Sequence, residues 1–160
     1  MMSQLHEPLP LEHTFHQGLA PACLPDVLDA DSYFRRELGF SSLPGPKDLR
    51  QYDYSNRSLG ILRSDSRMIG GIYAITSPAT SLSEARLDIQ YLAVDAGLRR
   101  CGMKIGSYLL TTVEEAAKNN GITKARLISL HAARQFWLSQ GYSAVDGDAY
   151  TLEKQLVEAS

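Results

Sequence analysis

Between residues 92 and 107 the sequence reads LAVDAGLRRCGMKIGS, an apolar, strand-like run that ends at Asp95 and passes into a basic, glycine-punctuated turn opening an amphipathic stretch. Residue types in this order build an anion site. The first turn of a helix leaves backbone N–H groups without intrahelical acceptors, and the aligned peptide dipoles place partial positive charge there, so a phosphate docks with little reorganisation. Gly102 and Gly106 let the main chain approach closely, while Arg99, Arg100 and Lys104 add full charges. A solvated surface turn is the plain alternative for that cluster taken alone. Upstream on the same strand, alternation places Leu87, Ile89, Tyr91 and Ala93 on one face and Asp88, Gln90, Leu92 and Val94 on the other. Two polar side chains therefore share the face that ends at the turn.

Composition limits what such a site can serve. At 160 residues with 44% hydrophobic content, the chain suits one domain, residues 1–160, with a real core. A net charge of −2 argues against a dedicated nucleic-acid binder, whose affinity comes from many clustered Lys and Arg, so the local basic turn points to a small anionic ligand. Cys23 and Cys101 lie far apart without metal-ligand or redox spacing, which fits a reduced, cytoplasmic protein. His6, His13 and His16 have no Cys or carboxylate at a useful spacing, so no metal site is expected. Residues 1–20 contain Glu7 and Glu12 and no continuous apolar run, and no segment is long enough to span a bilayer, so neither a signal peptide nor a membrane partner is expected.

The elements that must position the site follow from periodicity. Residues 1–20 are poorly defined, with a short strand expected over residues 11–16. Helical spacing from Ala20 to Phe40, interrupted by Pro25 and closed by Gly39, predicts one helix or two short ones. Pro44, Gly45 and Pro46 mark residues 41–50 as a loop or connection. Two apolar runs around Ser64-Asp65-Ser66 predict an antiparallel hairpin, and the strand through Asp88 follows a break at Pro78. The helix after the basic turn carries Ile105, Tyr108, Leu109, Val113, Ala116 and Ala117 on one stripe, leaves Glu114 and Glu115 outside it, and stops at Asn119-Asn120-Gly121. A strand over 125–130, a short helix over 132–140 and two closing strands near 142–145 and 150–156 complete an α+β domain with a mostly antiparallel sheet.

The segment LAVDAGLRRCGMKIGSYLLTTVEEAAKNNG, followed by FWLSQGY and YTLEKQL, resembles the GNAT superfamily of N-acetyltransferases. Its signatures are a strand ending in an L-A-V-D type sequence, a Q/R-x-x-G-x-G/A loop and a later A-x-x-F-Y-x-x-x-G-F/Y; the likeness spans roughly residues 50–157, and its specificity lies in the combination and order. The resemblance implies a GNAT-like fold, a central mostly antiparallel mixed sheet flanked by helices. It also implies acetyl-CoA as acetyl donor, its pantetheine arm paired with the backbone of Leu92, Ala93 and Val94. The pyrophosphate would lie at Arg99, Arg100, Cys101, Gly102, Met103, Lys104, Gly106 and Ser107, with Arg134 and Trp137 also lining the cofactor. Counted from the strand, the loop has Lys104 where Gly or Ala is usual. Counted back from the helix, Gly102 and Gly106 fit, Leu109 and Leu110 keep core positions, and the loop is about two residues longer, at little entropic cost.

Trp137 stands where the family usually has the Tyr that protonates the leaving thiolate, and an indole N–H does not give up its proton near neutral pH. The resemblance implies a backbone N–H near Leu92 as donor to the thioester carbonyl, and Asp88 and Gln90 on the acceptor side as base or water-holding groups. Tyr142, His131 or water is left to protonate the thiolate. The expected activity is acetyl transfer to a primary amine of a small molecule or peptide, with a homodimer left open. A catalytically weak acetyl-CoA-binding module that acts through a protein partner is the rival. A nucleotide-binding regulator is disfavoured, because the loop lacks a Gly-Lys-Ser/Thr end.

Overall fold

The structure, a computed structural model, describes residues 11–99 and 104–156. Seven strands form one sheet in the order β1-β2-β3-β4-β5-β7-β6. They are β1 (Leu11–Leu19), β2 (Tyr54–Ser64), β3 (Arg67–Ser77), β4 (Arg86–Val94), β5 (Lys124–Ile128), β6 (Ser143–Val145) and β7 (Asp148–Gln155). Neighbours are antiparallel except β4 and β5, which run parallel through the crossover helix α3 (Ile105–Asn119). Helices α1 (Leu24–Leu38), α2 (Pro46–Gln51) and α4 (Arg134–Ser139) complete the layers. This is the α+β arrangement of the GNAT fold.

Two cores sandwich the sheet. On one face Val27, Ala30, Tyr33 and Phe34 of α1 and Leu49 of α2 cover Leu59, Ile61, Tyr73, Tyr91 and Ala93. On the other, Ile105, Leu109, Leu110, Val113 and Ala117 of α3, with Trp137 of α4, cover Ile72, Ala74, Leu87, Ile89 and Leu127. The adjacent glycines Gly70 and Gly71 let both helices approach β3. A Cβ on Gly70 would lie 2.9 Å from Ile105 Cγ2, and one on Gly71 would lie 3.2 Å from Phe34 Cζ.

Several expectations are corrected here. The strand expected over 11–16 extends to Leu19 as an edge strand whose register on β2 shifts between Gln17 and Leu19. Residues 46–51 are helical rather than loop, because Pro46 presets the first turn and Asp48 accepts a hydrogen bond from the Gly45 N–H at 3.1 Å. On α3, Tyr108 is exposed while Glu114 is buried. Glu114 tolerates burial because Tyr142 and Lys154 donate to its two oxygens. The α1 stop is as expected, with Gly39 left-handed at φ 86°.

Candidate active site

The site begins with one extra residue. Tyr91 of β4 pairs with Tyr73 and Ile89 pairs with Ala74, so Gln90 is bulged out of the ladder. A bulge rotates the alternation and sharpens the local twist. Leu87 and Ile89 consequently face α3, whereas Tyr91 and Ala93 face α1, and Leu92 and Val94 pack on the α3 side. The single face expected for Leu87, Ile89, Tyr91 and Ala93 is therefore wrong beyond Gln90, and Asp88 does not share a face with Leu92 and Val94.

Past the bulge β4 leaves β5. Their parallel pairing covers Arg86–Lys124, Leu87–Ala125 and Asp88–Arg126 only, while β5 stays paired with β7 through Ile128 and Thr151. A cleft opens between the strands. The Asp95 N–H donates to Ile69 O of β3 at 2.9 Å, so by alternation the N–H and C=O groups of Leu92 and Val94 point away from β3, into the cleft. The Val94 carbonyl accepts from Arg99 Nε at 3.0 Å, which holds that arginine at the cleft's end.

The N-terminus of α3 sits at the same end. Its hydrogen bonds begin with the Tyr108 N–H to Lys104 O, leaving the N–H groups of Ile105, Gly106 and Ser107 without acceptors inside the helix. Lys104 precedes them in a left-handed conformation at φ 49°. Ser107 Oγ accepts from Gln140 Nε2 at 2.9 Å. Phe136 packs on Gly106, where a Cβ would lie 3.2 Å from its ring, so α4 abuts the first turn of α3. Arg100, Cys101, Gly102 and Met103 lie outside the described residues.

On the α1 face, Asp88 stands in the last row where β4 and β5 still pair, at the mouth of the cleft. Its carboxylate accepts from Arg86 Nε at 2.8 Å and from Ser77 Oγ at 3.2 Å. Gln90 is exposed beside it. Tyr142 is elsewhere, buried beneath α3 with its hydroxyl donated to Glu114, and burial followed by the Glu114 charge pushes its ionisation far above the usual phenol range. Trp137 is buried edge-on against Phe136 and Tyr142. Arg134 donates to Ala149 O and, with Ser129, Leu130, His131 and Tyr150, lines a cavity of about 310 Å³ beyond the end of β5.

Two groups were not anticipated from the sequence. Arg57, Tyr73 and Tyr91 form an aromatic and guanidinium layer on the α1 face, whose only sequence signal is the alternation of β2 and β3. At the β1 edge His16 bridges Asp26 at 2.7 Å and the Cys23 thiol at 3.5 Å. Among the described residues no group of three His, Cys, Asp or Glu could hold a metal, and no helix is long and apolar enough to cross a membrane.

A parallel strand pair that splays at a bulge, with a helix N-terminus closing the cleft, defines the acyl-CoA N-acyltransferase class of fold. The sequence profile of the Acetyltransferase (GNAT) family matches residues 23–142, and the chain belongs to that family. Among solved structures it is similar to an aminoglycoside acetyltransferase from an uncultured soil metagenomic sample, with TM-score 0.68, 21% identity, and 88% of this chain and 93% of that one covered. It is also similar to a GNAT-family acetyltransferase of Staphylococcus aureus, with TM-score 0.62, 16% identity, and 91% and 100% covered. A third is the N-acetylglutamate synthase of Neisseria gonorrhoeae complexed with coenzyme A and N-acetyl-glutamate, with TM-score 0.60, 16% identity, and 92% and 36% covered. No curated protein sequence matches the chain.

Proposed function

We propose that the protein transfers the acetyl group of acetyl-CoA to a primary amine. The observation that carries this is the cleft between β4 and β5, into which Leu92 and Val94 present backbone groups and at whose end α3 presents three N–H groups without acceptors inside the helix. Coenzyme A is bound in the N. gonorrhoeae structure and in an N-acetyltransferase from Thermoplasma acidophilum, and the metagenomic aminoglycoside acetyltransferase was also solved in complex with sisomicin. Those partners support the reading by likeness of fold.

In this mechanism the α3 N-terminus, Lys104 and Arg99 hold the pyrophosphate, and the free edge of β4 hydrogen-bonds the pantetheine arm. The Leu92 N–H donates to the thioester carbonyl oxygen, where negative charge grows as the amine nitrogen attacks the carbonyl carbon. Asp88 takes the amine's proton, directly or through a water held with Gln90, and the neutral amine becomes the nucleophile. The carbon–sulfur bond then breaks, and the attacking nitrogen, cationic after the new bond forms, loses its second proton to water as the amide forms. The Tyr142 hydroxyl is committed to Glu114, so water returns a proton to the thiolate.

Melting in millimolar acetyl-CoA, paired with a thiol-release assay over a panel of amines, tests the proposal. A ligand at a hundredfold excess over its Kd adds about 2.7 kcal/mol of stability. Melts unmoved by acetyl-CoA would refute the cofactor site; stabilisation without thiol release on any amine would refute the transferase and leave a binding module.

A further inference from the structure

On the α1 face, the cations of the sheet are matched to carboxylates with one exception. Arg63 donates to Asp26 and Asp29, Arg86 to Asp88, and Arg126 and Lys124 both reach Glu153. Arg57 has no carboxylate partner among the described residues. It donates from Nη1 to the Tyr73 hydroxyl at 2.7 Å, and its guanidinium lies 5.4 Å from the Tyr54 ring centre and 6.0 Å from that of Tyr73. Its Nε is buried with no acceptor among the described residues. A half-buried guanidinium with no carboxylate beside it keeps its full charge for an anion that arrives with a ligand.

The free edge of the guanidinium has a specific shape. With Nη1 occupied by Tyr73 and Nε enclosed, Nη2 is the nitrogen left to meet an incoming carboxylate, in a charge-assisted hydrogen bond. The flanking rings hold the plane fixed, so little side-chain entropy is lost on binding. Burial raises the ionisation of Tyr73 against the opposing pull of Arg57, which keeps its hydroxyl protonated. That hydroxyl accepts from Arg57 and retains a proton to donate.

Register connects this group to the cleft. Arg57 pairs with Ile75 and Ile75 pairs with Asp88, so the three share one row and one face, and Arg57 stands two strand spacings, about 10 Å, from Asp88. The Tyr73 ring stacks on Tyr91 at 5.8 Å, and Tyr91 directly precedes the cleft residue Leu92. We propose that Arg57 is the specificity-determining anchor for a carboxylate on the acceptor, and hence that the preferred acceptor is an amino acid or another amine bearing a carboxylate. The inference rests on the acetyl-transfer reading for its amine and on Arg57 itself for its anion.

The test compares matched amines on the full chain: lysine against cadaverine, and 4-aminobutyrate against butylamine. Wild type should favour the carboxylated member of at least one pair by about 10- to 100-fold in kcat/KM, as expected for one charge-assisted pair. Arg57→Gln should bring that ratio close to one through acceptor KM, and Arg57→Lys should restore part of it. Equal rates within both pairs in wild type, or a preference that survives Arg57→Gln, would overturn the proposal. If no amine of either kind is acetylated, the transferase reading falls; calorimetry with N-acetyl-lysine and N-acetyl-4-aminobutyrate then decides the anchor. Binding that Arg57→Gln and Tyr73→Phe both weaken upholds it, and no binding to wild type removes it.

Discussion

The Tyr142 hydroxyl donates to Oε2 of Glu114 at 2.8 Å, in the core beneath α3. Lys154 donates to the other carboxylate oxygen at 3.1 Å, and its Nζ lies 5.7 Å from the Tyr142 ring centre. Three elements are tied together at one buried carboxylate: α3, the entry to β6, and β7. Removing the phenol hydroxyl leaves one oxygen of a buried carboxylate without its donor, which costs about 1–3 kcal/mol. Tyr142→Phe should lower the urea midpoint accordingly while leaving acetyl-CoA affinity and turnover in place. A folded Tyr142→Phe with normal stability and lost turnover would return this residue to the catalytic machinery.

Alkaline pH probes the same interior. Burial, with Glu114 beside Tyr142 and the Asp95 hydrogen bond on Tyr33, raises both phenols well above their usual range, and burial raises Tyr73 as well. Each folded-state value exceeds that of the unfolded chain, so this stability is fully present below about pH 10 and is lost as pH rises towards the folded values. Absorbance titration should therefore show some of the eight tyrosines ionising first and these three only as the fold is lost. Smooth ionisation of all eight with secondary structure intact would contradict it.

Asp88→Asn should reduce turnover by about 10²- to 10⁴-fold, the usual range for removing a positioned base. Acetyl-CoA affinity should be unaltered, because Asp88 lies on the α1 face and the first-turn N–H groups of α3 on the other. Kinetics over a range of pH, beside calorimetry with the cofactor, separate the two quantities. A wild-type rate in the variant removes Asp88 from the mechanism.

Gly70→Ala places a methyl 2.9 Å from Ile105 and 3.1 Å from Leu109. Overpacking of this kind costs about 1–3 kcal/mol. The displaced partner is the first turn of α3, so weaker acetyl-CoA binding should accompany the lower melting temperature. A variant that loses stability but keeps cofactor affinity would show that the turn shifts without moving its N–H groups.

Much of this molecule was legible where one local rule acts alone. Gly39 ends α1 because a left-handed residue is needed there, and Asp65 and Ser66 turn the β2–β3 hairpin with positive φ at both positions. The strand ending at Val94 and the helix from Ile105 were readable for the same reason. What escaped was decided by partners distant in sequence. Glu114 looks like a surface residue until Lys154 and Tyr142 arrive from the end of the chain, and Arg57 acquires meaning only when β3 and β4 place Tyr73 and Tyr91 beside it. The bulge at Gln90 has no signature of its own, since Gln90 fits an unbroken alternation as well as a broken one.

That bulge has a consequence for how the sequence can vary. Each half of β4 is in phase with a different core, and Gln90 is the one-residue shift of frame between them. The packing demands a residue at this point and is indifferent to its type. Deleting it would turn Tyr91 and Ala93 towards α3 and Leu92 and Val94 towards α1, exchanging large for small positions across two filled interiors and rotating the Leu92 N–H out of the cleft. In this strand the packing fixes the number of residues more tightly than their types.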